Sequence, residues 1–504
     1  MSRNEPTNTP THWYLEKNPL LDGIPCFPDP QSFLEHLSFS PLAGLDVSQL
    51  SVIDRFNLLT GEKTPLVPTT QSLRAAMSWY GMFRVGLQVR NPLRAEARRH
   101  FWEALNGAAP DVSALPRSPT SGIAVQITKG PTGTSKTVTA KRFCAMLGRQ
   151  CIDRGAFPEA GWNALRQLVY LYTDLSHDGT RGGFLSALLT QLDLALGTNY
   201  AIDLPKRHKT LDRLAVATVG RLIAHYTGIV FIDEGQLRNL MFSDQADLIQ
   251  LFLLALMNSG IPLVLIGNEC AFDWIDYSQD QSRLNTVTTE YFQPVGAVDN
   301  ATIEEDWSSL YKGISEFYLL DQPPEEPEKC EAVLKQCCGG NARLGLMLWT
   351  SSQRTVLSDS GDRLCPDDIL AAYNDPSFDK LRPLADGFAK RLPELLLGFP
   401  DVATHYYARC WGKPIAQTTA QTEPAASSGT KQSASPQGKP TAHHAPTGPA
   451  RLKAEKTRKK NKAAASAELE KTLDPADMRR NGIKAVALQG LAATRARIEA
   501  ERPI

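Results

Sequence analysis

Lys136 and Thr137 close a glycine-rich octet, Gly130-Pro131-Thr132-Gly133-Thr134-Ser135-Lys136-Thr137. Asp233 and Glu234 close an apolar run, Gly228-Ile229-Val230-Phe231-Ile232. A cation and a hydroxyl on a tight turn, with paired carboxylates on a strand tip, make the residue set that handles a metal-bound polyphosphate. Backbone N–H groups of such a turn wrap phosphate oxygens, a helix start adds partial positive charge, and the lysine adds a full one. In this reading all eight residues of the octet cradle ATP, and Thr137 and Asp233 hold Mg²⁺. Glu234 polarises the attacking water as general base. The octet departs from G-x-x-x-x-G-K-[ST] at one place, because Ser135 stands where the second glycine is usual. Nucleotide binding is expected, and the rate of hydrolysis is left open.

The flanking residues supply the elements this chemistry needs. Residues 122–128 read as a buried strand and 138–150 as a helix with Val138, Phe143, Met146 and Leu147 on its apolar side. Residues 228–234 read as a strand buried on both faces, which belongs in a covered parallel sheet. The acidic tip then falls at the carboxyl edge, where open α/β sheets bind ligands. A further strand, 261–267, ends at Asn268, the place of the polar sensor 1 residue in AAA+ ATPases. A strand at 168–172 and helices at 183–196, 209–226 and 246–257 complete an alternating pattern that implies a parallel sheet with helical crossovers. The apolar stretch from 246 to 266 raises a membrane question. Asn258-Ser259-Gly260 and Pro262 break it, so a buried helix and a buried strand explain it better.

Lysine plus arginine and aspartate plus glutamate both number 54, so no global charge steers the chain toward nucleic acid, and any basic surface must be local. The nine cysteines show no metal-ligand spacing and no disulfide framework, which points to a reducing compartment. Met1-Ser2-Arg3-Asn4-Glu5-Pro6 has no apolar segment of the secretory kind. The expectation is a cytoplasmic protein with no membrane partner.

The expected fold class is α/β, a P-loop NTPase core of parallel sheet with helices on both faces. The expected order is a helical N-terminal extension (1–115), the ATPase core (116–298), an α-helical lid (299–412), a low-complexity linker (413–466) and a short helical tail (467–504). The lid follows from helical patterns at 303–320, 328–338, 342–356 and 366–373, an AAA+ arrangement. The linker is rich in Ala, Thr, Ser, Gln, Pro and Gly and cannot bury a core, so disorder is expected there. It ends in a basic run of Arg451, Lys453, Lys456, Arg458, Lys459, Lys460 and Lys462.

Asn18-Pro19-Leu20 with Pro25, Val89-Arg90-Asn91-Pro92, Asp178-Gly179-Thr180 and Phe231-Ile232-Asp233-Glu234-Gly235-Gln236 occur in this order. Gly339-Gly340-Asn341-Ala342-Arg343-Leu344 and Leu473-Asp474-Pro475-Ala476-Asp477-Met478-Arg479 follow. In this series the chain resembles the TnsC/TniB family of AAA+ transposition regulators, over about residues 14–395, with the tail matched loosely. The resemblance implies ATP-dependent rings or filaments on double-stranded DNA, bound without sequence preference. It implies a TniQ/TnsD-type target-selection partner and TnsA/TnsB-type transposase subunits, with disassembly on ATP hydrolysis. It also implies roles in catalysis beside Glu234: Asn268 as sensor 1, Arg283 as a finger reaching a neighbour's nucleotide, and Arg343 as sensor 2. The basic cluster Lys206-Arg207-His208-Lys209-Thr210, at a helix start, would face phosphates at the inner rim of a ring, and Arg181 would join it. The tail helix would dock on a transposase subunit.

Other readings share the core motifs. A helicase loader or replication initiator would normally lack this N-terminal segment and tail. An ATP-binding scaffold with little turnover is compatible with Ser135. A signalling ATPase of the STAND type would need a repeat domain, and no internal repeat is visible.

Overall fold

Every residue of Ile229–Asp233 and Leu263–Gly267 is buried, and neighbours along each strand enter different cores. Val230, Ile232, Leu263 and Leu265 join one apolar cluster. Phe231, Val264 and Ile266 join another. Alternation of side chains on a strand makes this split unavoidable once both faces are covered.

A computed structural model of the chain describes residues 12–61, 64–106, 109, 111–115, 124–175, 180–233, 246–269, 271 and 287–413. The chain divides into two units, Met1–Thr418 and Thr419–Ile504, and the described residues all lie in the first. The strands are β1 (Val125–Lys129), β2 (Cys151–Arg154), β3 (Leu165–Leu168), β4 (Tyr170–Asp174), β5 (Ile229–Asp233), β6 (Leu263–Gly267) and β7 (Glu290–Tyr291). Five of them form a parallel sheet in the order β4-β5-β6-β1-β7. The chain leaves β1 and re-enters the sheet three places away at β4, which opens a crevice above the carboxyl ends of β1, β5 and β6. This is the AAA+ P-loop fold.

Before β1 come helices α1 (Pro30–Leu37), α2 (Val52–Thr60), α3 (Thr70–Val89) and α4 (Ala95–Asn106). Helix α5 (Lys136–Met146) follows β1, and α6 (Arg181–Leu196), α7 (Tyr200–Arg207) and α8 (Leu211–Ala224) connect β4 to β5. The next described helix is α9 (Ala246–Asn258), ahead of β6. After β7 come α10 (Ile303–Ser315), α11 (Pro327–Cys338), α12 (Ala342–Ser358), α13 (Pro366–Asn374), α14 (Arg382–Ala389), α15 (Pro393–Leu396) and α16 (Thr404–Cys410).

Leu185, Leu188, Leu222 and Phe252 cover one face of the sheet. Trp79 of α3 and Phe143 of α5 cover the other. Their rings meet Phe231 with centroids 5.4 and 5.7 Å away. The helices after β7 have their own core, which includes Trp307, Leu334, Trp349, Phe388 and Tyr407, and takes Leu59 from α2.

The N-terminal signatures have a structural use. Asn18 Nδ2 donates to Leu87 O at 2.9 Å and Asn91 Nδ2 donates to Lys17 O at 2.9 Å, so the two asparagine motifs bind each other's segment. Arg90 Nε donates to Gly86 O at 3.0 Å, satisfying a carbonyl of the last turn of α3. Its guanidinium is fully buried, which pushes its pKa down to about 9.

Several elements differ from expectation. The second strand of the sheet is Tyr170–Asp174, two residues later than read. An antiparallel β2–β3 hairpin stands before it. The helix read from 209 to 226 is preceded by a separate helix, α7, which holds Lys206 and Arg207 in its last turn. Among the described residues no helix is long and apolar enough to cross a membrane.

Candidate nucleotide-binding site

The octet folds into a tight loop between β1 and α5 because its glycines accept close neighbours. A Cβ on Gly130 would lie 1.9 Å from Phe292 O, and Gly133 has φ +90°. Ser135 has φ 67° and ψ 11°, the left-handed conformation that the usual glycine supplies without strain. The loop therefore keeps its shape and carries the strain at Ser135, whose hydroxyl makes no cap hydrogen bond. Lys136 Nζ donates to Gly130 O and Pro131 O, each at 2.8 Å, so the ammonium is wrapped by its own loop. The first turn of α5 directs N–H groups without intrahelical partners at the same space.

Thr137 Oγ1 donates to Asp233 Oδ2 at 2.7 Å, across 96 residues of chain. The two residues expected to hold Mg²⁺ are thus brought into direct contact. Tyr172, on β4, donates its hydroxyl to the same Oδ2. Burial and the neighbouring carboxylate raise the Tyr172 pKa, so its proton stays on the phenol. Asn268 lies at the tip of β6 on the cavity wall, and its buried Oδ1 has no hydrogen-bond partner among the described residues. An amide in that state is a contact waiting for a ligand or water. Glu269 follows it and is buried. Burial raises its pKa more than the hydrogen bonds from Tyr407 and Ala403 lower it.

The helices after β7 close over this loop. Asn341 Nδ2 donates to Thr132 O at 3.0 Å, and the Arg343 N–H donates to Gly133 O at 3.0 Å. Asn341 Oδ1 also accepts from Leu344 N at 3.2 Å, capping α12, so one side chain both starts that helix and holds the loop. Thr132 Oγ1 donates to Asp401 Oδ2 at 2.6 Å. The Arg343 side chain is exposed on the cavity wall.

The resulting cavity has a volume of about 520 Å³. Its lining combines polar groups, among them Ser135, Lys136, Thr137, Asp233 and Asn268, with apolar ones, among them Val67, Leu310, Ile314 and Leu346. Size and mixed lining suit a ligand that carries both charged and apolar groups. The donor set fits a nucleotide with a hard cation: an ammonium and helix-start amides for phosphate, a hydroxyl and a carboxylate for the metal. Among the described residues no group of three or more His, Cys, Asp and Glu could hold a metal ion, so the metal donors here are the Thr137 hydroxyl and the Asp233 carboxylate together with the ligand's own phosphates.

Glu234 and Arg283 lie outside the described residues. Of the expected DNA contacts, Lys206, Arg207, Lys209 and Thr210 are exposed. They span the end of α7 and the start of α8, not one helix start. Thr210 caps α8 by accepting from Arg213 N at 3.4 Å. Arg181 does not join them. It is 3% exposed and its Nη1 pairs with Asp212 Oδ1 at 2.6 Å, so its charge is spent inside the fold.

Reading the sequence missed Tyr172, Glu269, Asn341 as a loop contact, and Asp401. For Tyr172 a signal existed. Its strand ends beside the acidic one, and a one-in-two alternation puts residue 172 on the face of α5. Nothing local marks Asp401, which meets Thr132 across 269 residues.

Residues 125–275 match the family model of an AAA domain. No curated protein matches the chain. Among solved structures, the Aeropyrum pernix ORC2 protein is similar at 18% identity, with 57% of this chain and 68% of that chain covered and a TM-score of 0.37. The Aeropyrum pernix ORC1 protein, in complex with DNA, is similar at 17% identity over 69% of this chain and 72% of that one, with a TM-score of 0.36. A mutant of Thermotoga maritima RuvB is similar at 12% identity over 58% and 76%, with a TM-score of 0.31. With the strand order and the loop geometry, the match at 125–275 makes this chain the bearer of an AAA domain on an AAA+ P-loop fold, the scaffold of ATPase-type nucleotide-binding proteins.

Proposed function

We propose that this chain is an ATP-dependent, DNA-binding regulator of transposition that assembles on target DNA and recruits a transposase. The observation that carries the nucleotide part is the bond from Thr137 to Asp233 beneath a glycine loop, with Asn268 on the same wall. Bound Mg²⁺·ATP supplies a cleavable phosphoanhydride and a cation that neutralises its charge. Lys136 and the loop amides bind the phosphates, and Thr137 and Asp233 hold the metal. Glu234 takes the proton of the attacking water, and Asn268 orients that water. Arg343 senses the phosphate from α12, and Arg283 serves the nucleotide of a neighbouring copy.

The transposition part rests on the resemblance to the TnsC/TniB family, whose Asn18 and Asn91 motifs bind each other here. Lys206, Arg207 and Lys209 supply a local basic surface in a chain of zero net charge, as sequence-independent phosphate binding requires, and Thr210 lies beside them as a hydroxyl contact to the backbone of the nucleic acid. A TniQ/TnsD-type protein marks the site, and TnsA/TnsB-type subunits are recruited through the tail. The domain limits proposed are 1–115, 116–298, 299–412, 413–466 and 467–504, with the cytoplasm as location.

Negative-stain imaging of the full chain with duplex DNA tests this reading, with ATP, a non-hydrolysable analogue, or no nucleotide. Rings or filaments that need both nucleotide and DNA are the expected result. Isolated copies in all three samples would refute the assembly switch and favour a loader that needs a protein partner.

A further inference from the structure

Asp233 Oδ2 accepts two hydroxyl protons, one from Thr137 and one from Tyr172. The first links the two metal-site residues. The second comes from β4, which has no part in the nucleotide motifs. The ring that carries this hydroxyl is itself fixed. It stacks on Phe231 with centroids 6.1 Å apart and planes 20° apart. Lys141 Nζ of α5 lies 5.7 Å from its centre. The β4–β5 ladder sets Tyr172 opposite Phe231 and Asp174 opposite Asp233, and Leu175 N donates to Asp233 O at 2.9 Å. Backbone and side chain of Asp233 are thus both held from β4 and the residue that follows it.

We propose that Tyr172 is a positioning residue for the metal site, orienting the Asp233 carboxylate that helps hold the divalent cation. This rests on the nucleotide-and-metal reading above. The terminal torsion of a carboxylate is soft, so its plane is set by the donors that hold it. A hydroxyl from β4, an element apart from the phosphate loop, restricts that torsion. The donor adds a second hydrogen bond to an oxygen in a buried, low-dielectric place, where such bonds to a carboxylate are strong. Partners of this kind around metal ligands contribute to metal affinity without touching the metal.

The test is Tyr172→Phe in the full chain, which keeps the ring, its stack on Phe231 and its place by Lys141. Tyr170→Phe, on the same strand, is the control. Two quantities are read: binding of a fluorescent ATP analogue without divalent metal, and the Mn²⁺ concentration at half-saturation with nucleotide present, by electron paramagnetic resonance. Tyr172→Phe is expected to raise the Mn²⁺ half-saturation on the order of 10-fold, with metal-free nucleotide binding and Tyr170→Phe unchanged. Equal Mn²⁺ half-saturation in wild type and Tyr172→Phe would overturn the inference while the metal reading stands. Parallel weakening of metal-free nucleotide binding would overturn it too, because the hydroxyl would then hold the loop and not the metal ligand. A wild-type chain that binds nucleotide but no Mn²⁺ refutes the metal reading and takes the inference down with it.

Discussion

Tyr407 donates its hydroxyl to Glu269 Oε1 at 2.6 Å, and this bond ties helix α16 to the strand tip that carries Asn268. Both groups are buried, and Ala403 N donates to the other carboxylate oxygen. The last described helix is thereby joined to the wall of the nucleotide cavity. A hydrogen bond to a charged group in such a place contributes about 1.5–3 kcal/mol. Tyr407→Phe is expected to lower unfolding stability by about 2 kcal/mol and to leave the fold intact. Urea denaturation followed by circular dichroism checks this, and an unchanged midpoint would contradict it.

The same carboxylate gives the chain a pH signature. Unfolded, Glu269 ionises in the ordinary glutamate range; folded, burial delays ionisation to higher pH. Between those two points the native state holds a proton that the unfolded state has lost. Stability therefore falls as pH rises from the ordinary glutamate range through the raised value, and levels above it. Glu269→Gln removes this component and keeps an acceptor for Tyr407. The difference in urea midpoint between variant and wild type should grow in the variant's favour over that window. A pH-independent difference would show that Glu269 ionises alike in both states.

Ser135 holds a backbone conformation that costs a non-glycine residue about 1 kcal/mol. Its hydroxyl makes no cap bond that glycine would lose. Ser135→Gly is expected to keep or raise stability, by up to about 1 kcal/mol. Ser135→Val should lose about 2 kcal/mol, because branching at Cβ worsens the left-handed clash. Thermal melts of the two variants check the opposite signs. A stabilising valine would mean the loop relaxes out of this conformation.

Lys206 and Lys209 are exposed, and the pairing of Lys206 with Asp203 at 3.8 Å is a surface contact of little weight. Reversing both charges should abolish assembly on DNA and flatten the salt dependence of binding, while nucleotide binding persists. Arg181→Ala should act differently, lowering stability through the lost packing of its buried side chain, with no change in salt slope. Fluorescence anisotropy with labelled duplex DNA across a salt series separates the two. An unchanged slope in the double reversal would remove this cluster from the DNA interface.

The nucleotide loop, the acidic strand and the parallel sheet could be read from sequence because each rests on a local pattern. A glycine-rich octet between an apolar strand and a helix has few other uses, and two wholly apolar strands demand cover on both faces. Residue order alone thus determined that Lys136, Thr137 and Asp233 would share a sheet edge. Tertiary structure decided what stands around them. Tyr172 reaches Asp233 only because β4 pairs with β5 in one register, and a slip of one residue would turn its ring to the opposite face. Asp401 meets Thr132, and Tyr407 meets Glu269, only because the helices after β7 fold back over the loop. The same holds for Arg181, whose sequence neighbours do not reveal that it is buried with Asp212 as its partner. Burial and pairing of a charge depend on elements far apart in the chain, and local spacing carries no record of which of them will meet.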